Sequence, residues 1–272
     1  MNFRPNVIIF DVDGVLVDVR GSFHRTTLET VQFFTGRRVT RAELHRWKNR
    51  SGFNDDWKLS TAWVHSLGGS AEYEEVKRKF VELYWGHNGD GRGNVAREKW
   101  LLPRPILRRL AGSAQLALFT GRVRKELDYT LDRGRVREFF AHIVTAEDVV
   151  HPKPHPEGLL KVLDGRDPAT AIYIGDNVDD ALAAQSARIP FVGILPHNRE
   201  ARRERGPLLS GLGAIAIFGD VRKLEPWLKR LVPARSGGAA LPARRPKGSD
   251  GTHDRPRHEQ ASARVRSGEY RP

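Results

Sequence analysis

Four apolar residues, Val7, Ile8, Ile9 and Phe10, run straight into Asp11-Val12-Asp13-Gly14. A short apolar run of this kind reads as a strand buried on both faces, and such strands belong to parallel sheets covered by helices. Side chains alternate along a strand, so acids at i and i+2 leave its end on the same side. Gly14 lets the backbone turn tightly beside them. Two carboxylates held close at the end of a buried strand are costly unless a positive charge answers them. A hard cation such as Mg²⁺, bound together with a substrate phosphate, suits that place.

After Asp18 the pattern becomes helical. Segment 22–36 carries Phe23, Thr26, Thr27, Val31 and Phe34 at helical spacing. Thr40 with Glu43 forms a capping-box signature for the next helix, and 49–54 is turn chemistry. Two more helical patterns cover 55–67 and 71–84, and the glycine-rich stretch 86–94 reads as a mobile connection. Five of the six tryptophans lie between Trp47 and Trp100, as expected of a small helical insert that builds its own core. From Pro103 strands and helices alternate, with strands predicted at 115–119, 143–144, 171–174, 191–195 and 214–218. Alternation of this kind predicts an α/β fold whose ligands bind beyond the carboxyl ends of the strands. The expected organisation is a core of 1–18 and 101–232, a helical cap of 19–100, and a disordered basic tail of 233–272.

The net charge of +13 raises the question of a nucleic-acid partner. Nine Lys/Arg against four Asp/Glu fall in the tail, so five of the thirteen charges sit there, and the rest form no single stripe. A basic solvated surface is the reading preferred over nucleic-acid binding. No apolar run is long enough for a membrane span. Cysteine is absent, which excludes disulfides and thiolate metal sites and agrees with a cytoplasmic location.

Four groups of polar residues fall at the ends of predicted strands. They are Asp11 with Asp13, Thr120 in LALFTGR, Lys153 in HPKPHPEGL, and Asp176 with Asp180 in IGDNVDDALAA. Taken singly, Thr120 reads as a helix cap, Lys153 as a surface lysine and Asp180 as a first-turn acid. His151 and His155, flanking Lys153, read as loop residues, with no third ligand spaced for zinc.

In their order and context the four groups resemble the motifs of the haloacid dehalogenase-like superfamily, over about 7–184. The KPxPEGL form and the position of the helical insert resemble subfamily IA, with the phosphoglycolate-phosphatase-like branch nearest. The resemblance implies a Rossmann-like parallel sheet sandwiched by helices, with an inserted helical cap after the first strand. It also implies a Mg²⁺-dependent phosphatase acting on a small phosphorylated metabolite through an aspartyl-phosphate. Asp11 would be the nucleophile and Asp13 the general acid and base. Thr120, Gly121 and Arg122 (the last two through their amides) and Lys153 would bind the phosphoryl group. Asp11, the Asp13 carbonyl and Asp176 would hold the metal, with Asp180 in support. Asn177 stands where such proteins often carry Ser or Thr. Asp13 is expected to sit among acids and argues for phosphoryl chemistry over dehalogenation, where the leaving group needs no proton. In the cap, Arg25, Lys48 and Asn54 are expected to meet the leaving group. The alternatives are a sugar phosphomutase of the same fold and a non-catalytic interaction module with a basic tail.

Overall fold

The structure, a computed structural model, describes residues 3–195 and 199–231, so the tail of 233–272 lies outside the described residues. Strand β1 (Val7–Phe10) is followed by the short strand β2 (Val17–Asp18). Helices α1 (Phe23–Thr35), α2 (Arg41–Lys48), α3 (Asp56–Ser66) and α4 (Tyr73–Trp85) come next, and the chain returns through β3 (Lys99–Trp100). The remaining order is α5 (Arg104–Ala111), β4 (Gln115–Phe119), α6 (Arg124–Gly134), β5 (Phe140–Val144), α7 (Glu157–Leu163), β6 (Ala171–Gly175), α8 (Val178–Ala187), β7 (Phe191–Ile194), α9 (Arg199–Gly211), β8 (Ala214–Phe218) and α10 (Leu224–Leu231).

Six parallel strands form one sheet in the order β5-β4-β1-β6-β7-β8. β1 lies in its middle, and all four of its side chains are buried. The two-residue period divides them between opposite faces. Ile8 and Phe10 join a cluster with Leu107, Leu127 and Leu224, from α5, α6 and α10. Val7 and Ile9 join the cluster on the other face with Leu159, Ala184 and Leu209, from α7, α8 and α9. This is the expected sheet sandwiched by helices. Among the described residues no helix is long and apolar enough to cross a membrane.

β2 and β3 pair antiparallel, so the four-helix segment leaves and rejoins the chain at one place. Val31, Leu44, Leu59, Trp63 and Val64 make its separate apolar cluster, with Trp47 packed against them. The tryptophans do not all serve that core. Trp85 is part of the main cluster, and Trp57 and Trp100 pack against it, because the start of α1 and the end of α4 lie on the sheet's own core. Stretch 86–94 is also more tightly held than a loose connection. Asn94 is buried and donates to Thr26 Oγ1 at 3.1 Å and Glu29 Oε2 at 2.8 Å. Helix α9 falls in a stretch to which the sequence reading gives no element; the structure carries Pro207 within the helix and buries Arg205 and Leu209, one turn apart.

Gly158 sits where α7 meets β4, and a Cβ there would lie 2.1 Å from the Phe119 ring. Gly158→Ala is expected to destabilise the protein by about 1–3 kcal/mol through overpacking. Thermal denaturation reads this directly, and an unchanged melting temperature would show that Phe119 has room to move.

Candidate active site

Parallel pairing brings three strand ends level. Phe10 lies beside Leu118 of β4 and Ile174 of β6. The residues just beyond, Asp11, Thr120 and Asp176, therefore gather at one edge, as the rule for ligands of such sheets requires. The Asp11 amide donates to Ile174 O at 2.8 Å, extending the ladder one residue past β1 and fixing where the carboxylate emerges.

Lys153 is the hinge of the charge arrangement. Its Nζ donates to Asp11 Oδ1 at 2.7 Å and to Asp180 Oδ1 at 2.8 Å, and all three side chains are buried. Burial works against the ammonium, but Asp11 and Asp180 outweigh it and hold Lys153 above the ordinary lysine range. Burial also pushes the Asp11 carboxyl well up. Lys153 pulls it down, while Asp180, Asp13 and Asp176 add to the rise. Tyr173 donates its hydroxyl to Asp180 Oδ1 at 2.7 Å, and the amides of Asp176 and Asn177 donate to Oδ2. Both Asp180 oxygens are thus engaged from behind. Asn177, in the Ser/Thr place, caps α8 by accepting from the Asp180 amide at 2.9 Å.

Asp176 is pushed up to about 6 by burial, with Arg205 pulling down and Asp180 pushing up. Gly14, at φ +76°, passes so close that a Cβ would lie 2.2 Å from Asp176 Oδ2. Only glycine suits a backbone that must both turn left-handed and leave that carboxylate its space. Carboxylate oxygens of Asp11, Asp176 and Asp180 lie within 4.8 Å of one another. All are hard oxygen donors, a set that fits Mg²⁺ and has no soft ligand to favour zinc.

Asp13 sits among acids, acting on Asp11, Asp176 and Glu126. Its nearest partner is the Arg122 guanidinium, which donates to Oδ1 from Nε at 2.8 Å and from Nη2 at 2.6 Å. The Arg122 side chain is buried. Its other N–H groups reach Glu98 and Thr130, at 2.6 to 3.1 Å. Its amide donates to Thr120 Oγ1 at 3.2 Å, so that donor is already engaged within the loop. The Arg122 side chain thus holds Asp13, a contact outside the amide role expected of this residue.

Asp11, Asp13, Thr120, Gly121, Lys153 and Asp176 all line one cavity, with Lys48 and Asn54 above them. Arg25 does not reach it. Two residues along α1 from buried Phe23, it is turned to solvent and pairs with Glu29 at 2.7 Å; His24 lines the cavity instead. The turn from α2 to α3 is seated on the sheet's edge. Ser51 Oγ and the Gly52 amide donate to Asp179, Asn54 accepts from Asn177, and Asn49 accepts from Arg205 Nε at 2.9 Å. Arg205, Glu98 and Asp179 escape the sequence reading. Only Asp179 carried a signal, as a further acid in DNVDD.

A family model described as haloacid dehalogenase-like hydrolase matches residues 5–188. Imidazoleglycerol-phosphate dehydratase of Phytophthora nicotianae is 31% identical over 238 residues, 80% of this chain and 52% of that protein. The chain thus spans about half the length of that relative. Pyrophosphatase PpaX of Bacillus cereus is 24% identical over 186 residues, 68% of this chain and 80% of the pyrophosphatase. Among solved structures, a HAD-superfamily hydrolase of subfamily IA, variant 1, from Geobacter sulfurreducens superposes with a TM-score of 0.55. It is 26% identical and covers 82% of this chain and 96% of its own.

Proposed function

The chain belongs to the haloacid dehalogenase-like hydrolases, and from that premise we propose that it is a Mg²⁺-dependent phosphatase of small phosphorylated metabolites. The observation that carries this reading is the Asp11–Lys153–Asp180 contact chain, with Asp13 and Thr120 on the same cavity. A carboxylate at the end of a central strand, oriented by a buried lysine, is an oriented nucleophile. The pyrophosphatase relative makes phosphoryl chemistry the natural choice among hydrolytic reactions.

Asp11 attacks phosphorus; its oxygen bonds to phosphorus as the bond to the leaving oxygen breaks. Asp13 gives its proton to that oxygen and, as a carboxylate, takes a proton from the water that then attacks the aspartyl-phosphate. Arg122 holds Asp13 through Oδ1 alone, which leaves Oδ2 for the proton. Lys153, the Thr120 hydroxyl and the Gly121 amide hold the equatorial oxygens. Asp11, the Asp13 carbonyl and Asp176 would hold Mg²⁺, with Asp180 behind. When bound, Mg²⁺ reduces the repulsion between a carboxylate and a phosphate dianion and balances transition-state charge. We assign the helices of 19–100 the part of a cap that closes this cavity and selects the substrate.

Phosphate release from a panel of phosphorylated metabolites, with Mg²⁺ and with chelator, tests the reading. Release that needs Mg²⁺ is expected. Isomerisation of a hexose 1-phosphate without release would make the protein a phosphomutase, and chelator-resistant release would remove the metal from the mechanism.

A further inference from the structure

Donors outnumber free acceptors on the cavity wall built by the α2–α3 turn and α9. Each carboxylate there already holds donors of the protein. Asp56 takes Lys48 Nζ at 2.8 Å and Thr27 Oγ1 at 3.3 Å. Asp55 caps α3 by accepting the amides of Trp57 and Lys58. Asp179 accepts from Ser51 and Gly52. Glu126, also on the cavity, is pushed up to about 8 by burial, against Arg122.

The donors are less fully used. Arg205 has a side chain only 5% exposed, yet it lines the cavity. It spends Nε on Asn49 and Nη1 on Asp176, and among the described residues no acceptor takes Nη2. Asn54 accepts through Oδ1 from Asn177, and no described acceptor takes its Nδ2. That Nδ2 lies over Gly121, where a Cβ would come within 2.6 Å of it, so it borders the loop expected to hold the phosphoryl group. Lys48 offers three N–H bonds and has one described partner, Asp56. Donors that line a cavity without a protein acceptor are free to meet a ligand rich in acceptor oxygens.

We propose that Lys48, Arg205 and Asn54 form an anion subsite for the leaving group. The substrate is then a phosphate ester or anhydride whose leaving group carries its own negative charge, as a carboxylate or a second phosphate. The inference rests on the phosphatase reading and narrows its substrate class. It replaces Arg25, which points to solvent, with Arg205, which comes from a helix outside the insert.

Matched substrates at saturating Mg²⁺ test it. 2-Phosphoglycolate and 2-hydroxyethyl phosphate differ in a carboxylate against a hydroxymethyl group. Inorganic pyrophosphate against methyl phosphate probes a phosphate leaving group. In at least one pair the anionic member is expected to have the higher kcat/KM by about ten- to a hundredfold, the effect of one or two charge-assisted contacts. The pair that shows it identifies the anion. Lys48→Met and Arg205→Gln should bring that ratio down toward one. Asn54→Asp keeps the acceptor that Asn177 uses and exchanges the free donor for a negative charge. It should lower the ratio by about tenfold or more and tests the subsite without emptying a buried position. Ratios near one in the wild-type protein, or a wild-type preference that all three variants retain, would overturn the subsite and leave the phosphatase reading standing. No phosphate release from any of the four compounds or the wider panel would remove the phosphatase reading, and the subsite with it.

Discussion

Asp11→Asn is expected to remove turnover, by at least about a thousandfold in kcat, or roughly 4 kcal/mol of transition-state stabilisation. The amide has no anionic oxygen with which to form the acyl-phosphate. The fold should survive. Asn keeps an oxygen that can accept from Lys153, and Lys153 retains Asp180 at 2.8 Å. Stability without metal should rise. Burial holds the Asp11 carboxyl above its unfolded value. The stability tied to a raised acid is fully present below the unfolded pKa and is lost as pH rises through the folded one, so at neutral pH the ionised group is a cost. Removing it removes the cost, along with one of the three acids whose carboxylate oxygens lie within 4.8 Å of one another. Thermal denaturation with and without Mg²⁺ reads both effects: a higher melting temperature without metal and a smaller gain on adding it. A variant with retained turnover would overturn the nucleophile assignment.

What the sequence disclosed and what it hid divide along physical lines. The strand ends were legible because a buried parallel strand is a short apolar run that stops at polar residues, and VIIFDVD, LALFTGR and IYIGD all show it. Parallel pairing then brings those ends together whatever the loops do. Arg25 was misplaced although its angle was readable. Phe23, Thr26, Thr27 and Val31 mark the inward stripe of α1, and a residue two beyond Phe23 falls about 200° around the helix. Arg205 was hidden for a different reason. Gly206-Pro207 argues against a helix, and the contacts of Arg205 with Asn49 and Asp176 depend on a turn more than 150 residues earlier and on a distant strand end. Arg122 shows the limit of reading a motif as a string. Its place beside Thr120 is evident, but Glu98, its main partner besides Asp13, is a single acid before a two-residue strand too short to show a period.

Arg122 also carries the largest expected effect on stability. Its side chain is fully buried, and its N–H groups are all committed, to Asp13, Glu98 and Thr130. Glu98 lies just before β3, where the inserted helices rejoin the core, and it is held further by Tyr84 from α4 and Thr130 from α6. One guanidinium thus joins the catalytic loop, the return of the insert and the helix after β4. Arg122→Met leaves Glu98 buried with only two hydroxyl donors, and the Asp13 carboxylate with no hydrogen-bond donor among the described residues. Breaking a buried pair on one side costs about 3–5 kcal/mol, because the remaining charge has lost its counter-ion. Urea denaturation should show that loss. Arg122→Lys should recover only part of it, since an ammonium cannot span Asp13 and Glu98 as a planar fork does. Pairing Arg122→Met with Glu98→Gln separates structure from chemistry. With the stranded charge gone, most of the stability should return, while kcat should stay low because Asp13 is still unoriented. If stability and kcat return together, the Arg122–Asp13 contact serves the fold alone. If Arg122→Met by itself is as stable as the wild-type protein, something other than this ion network holds the insert's return strand to the catalytic loop.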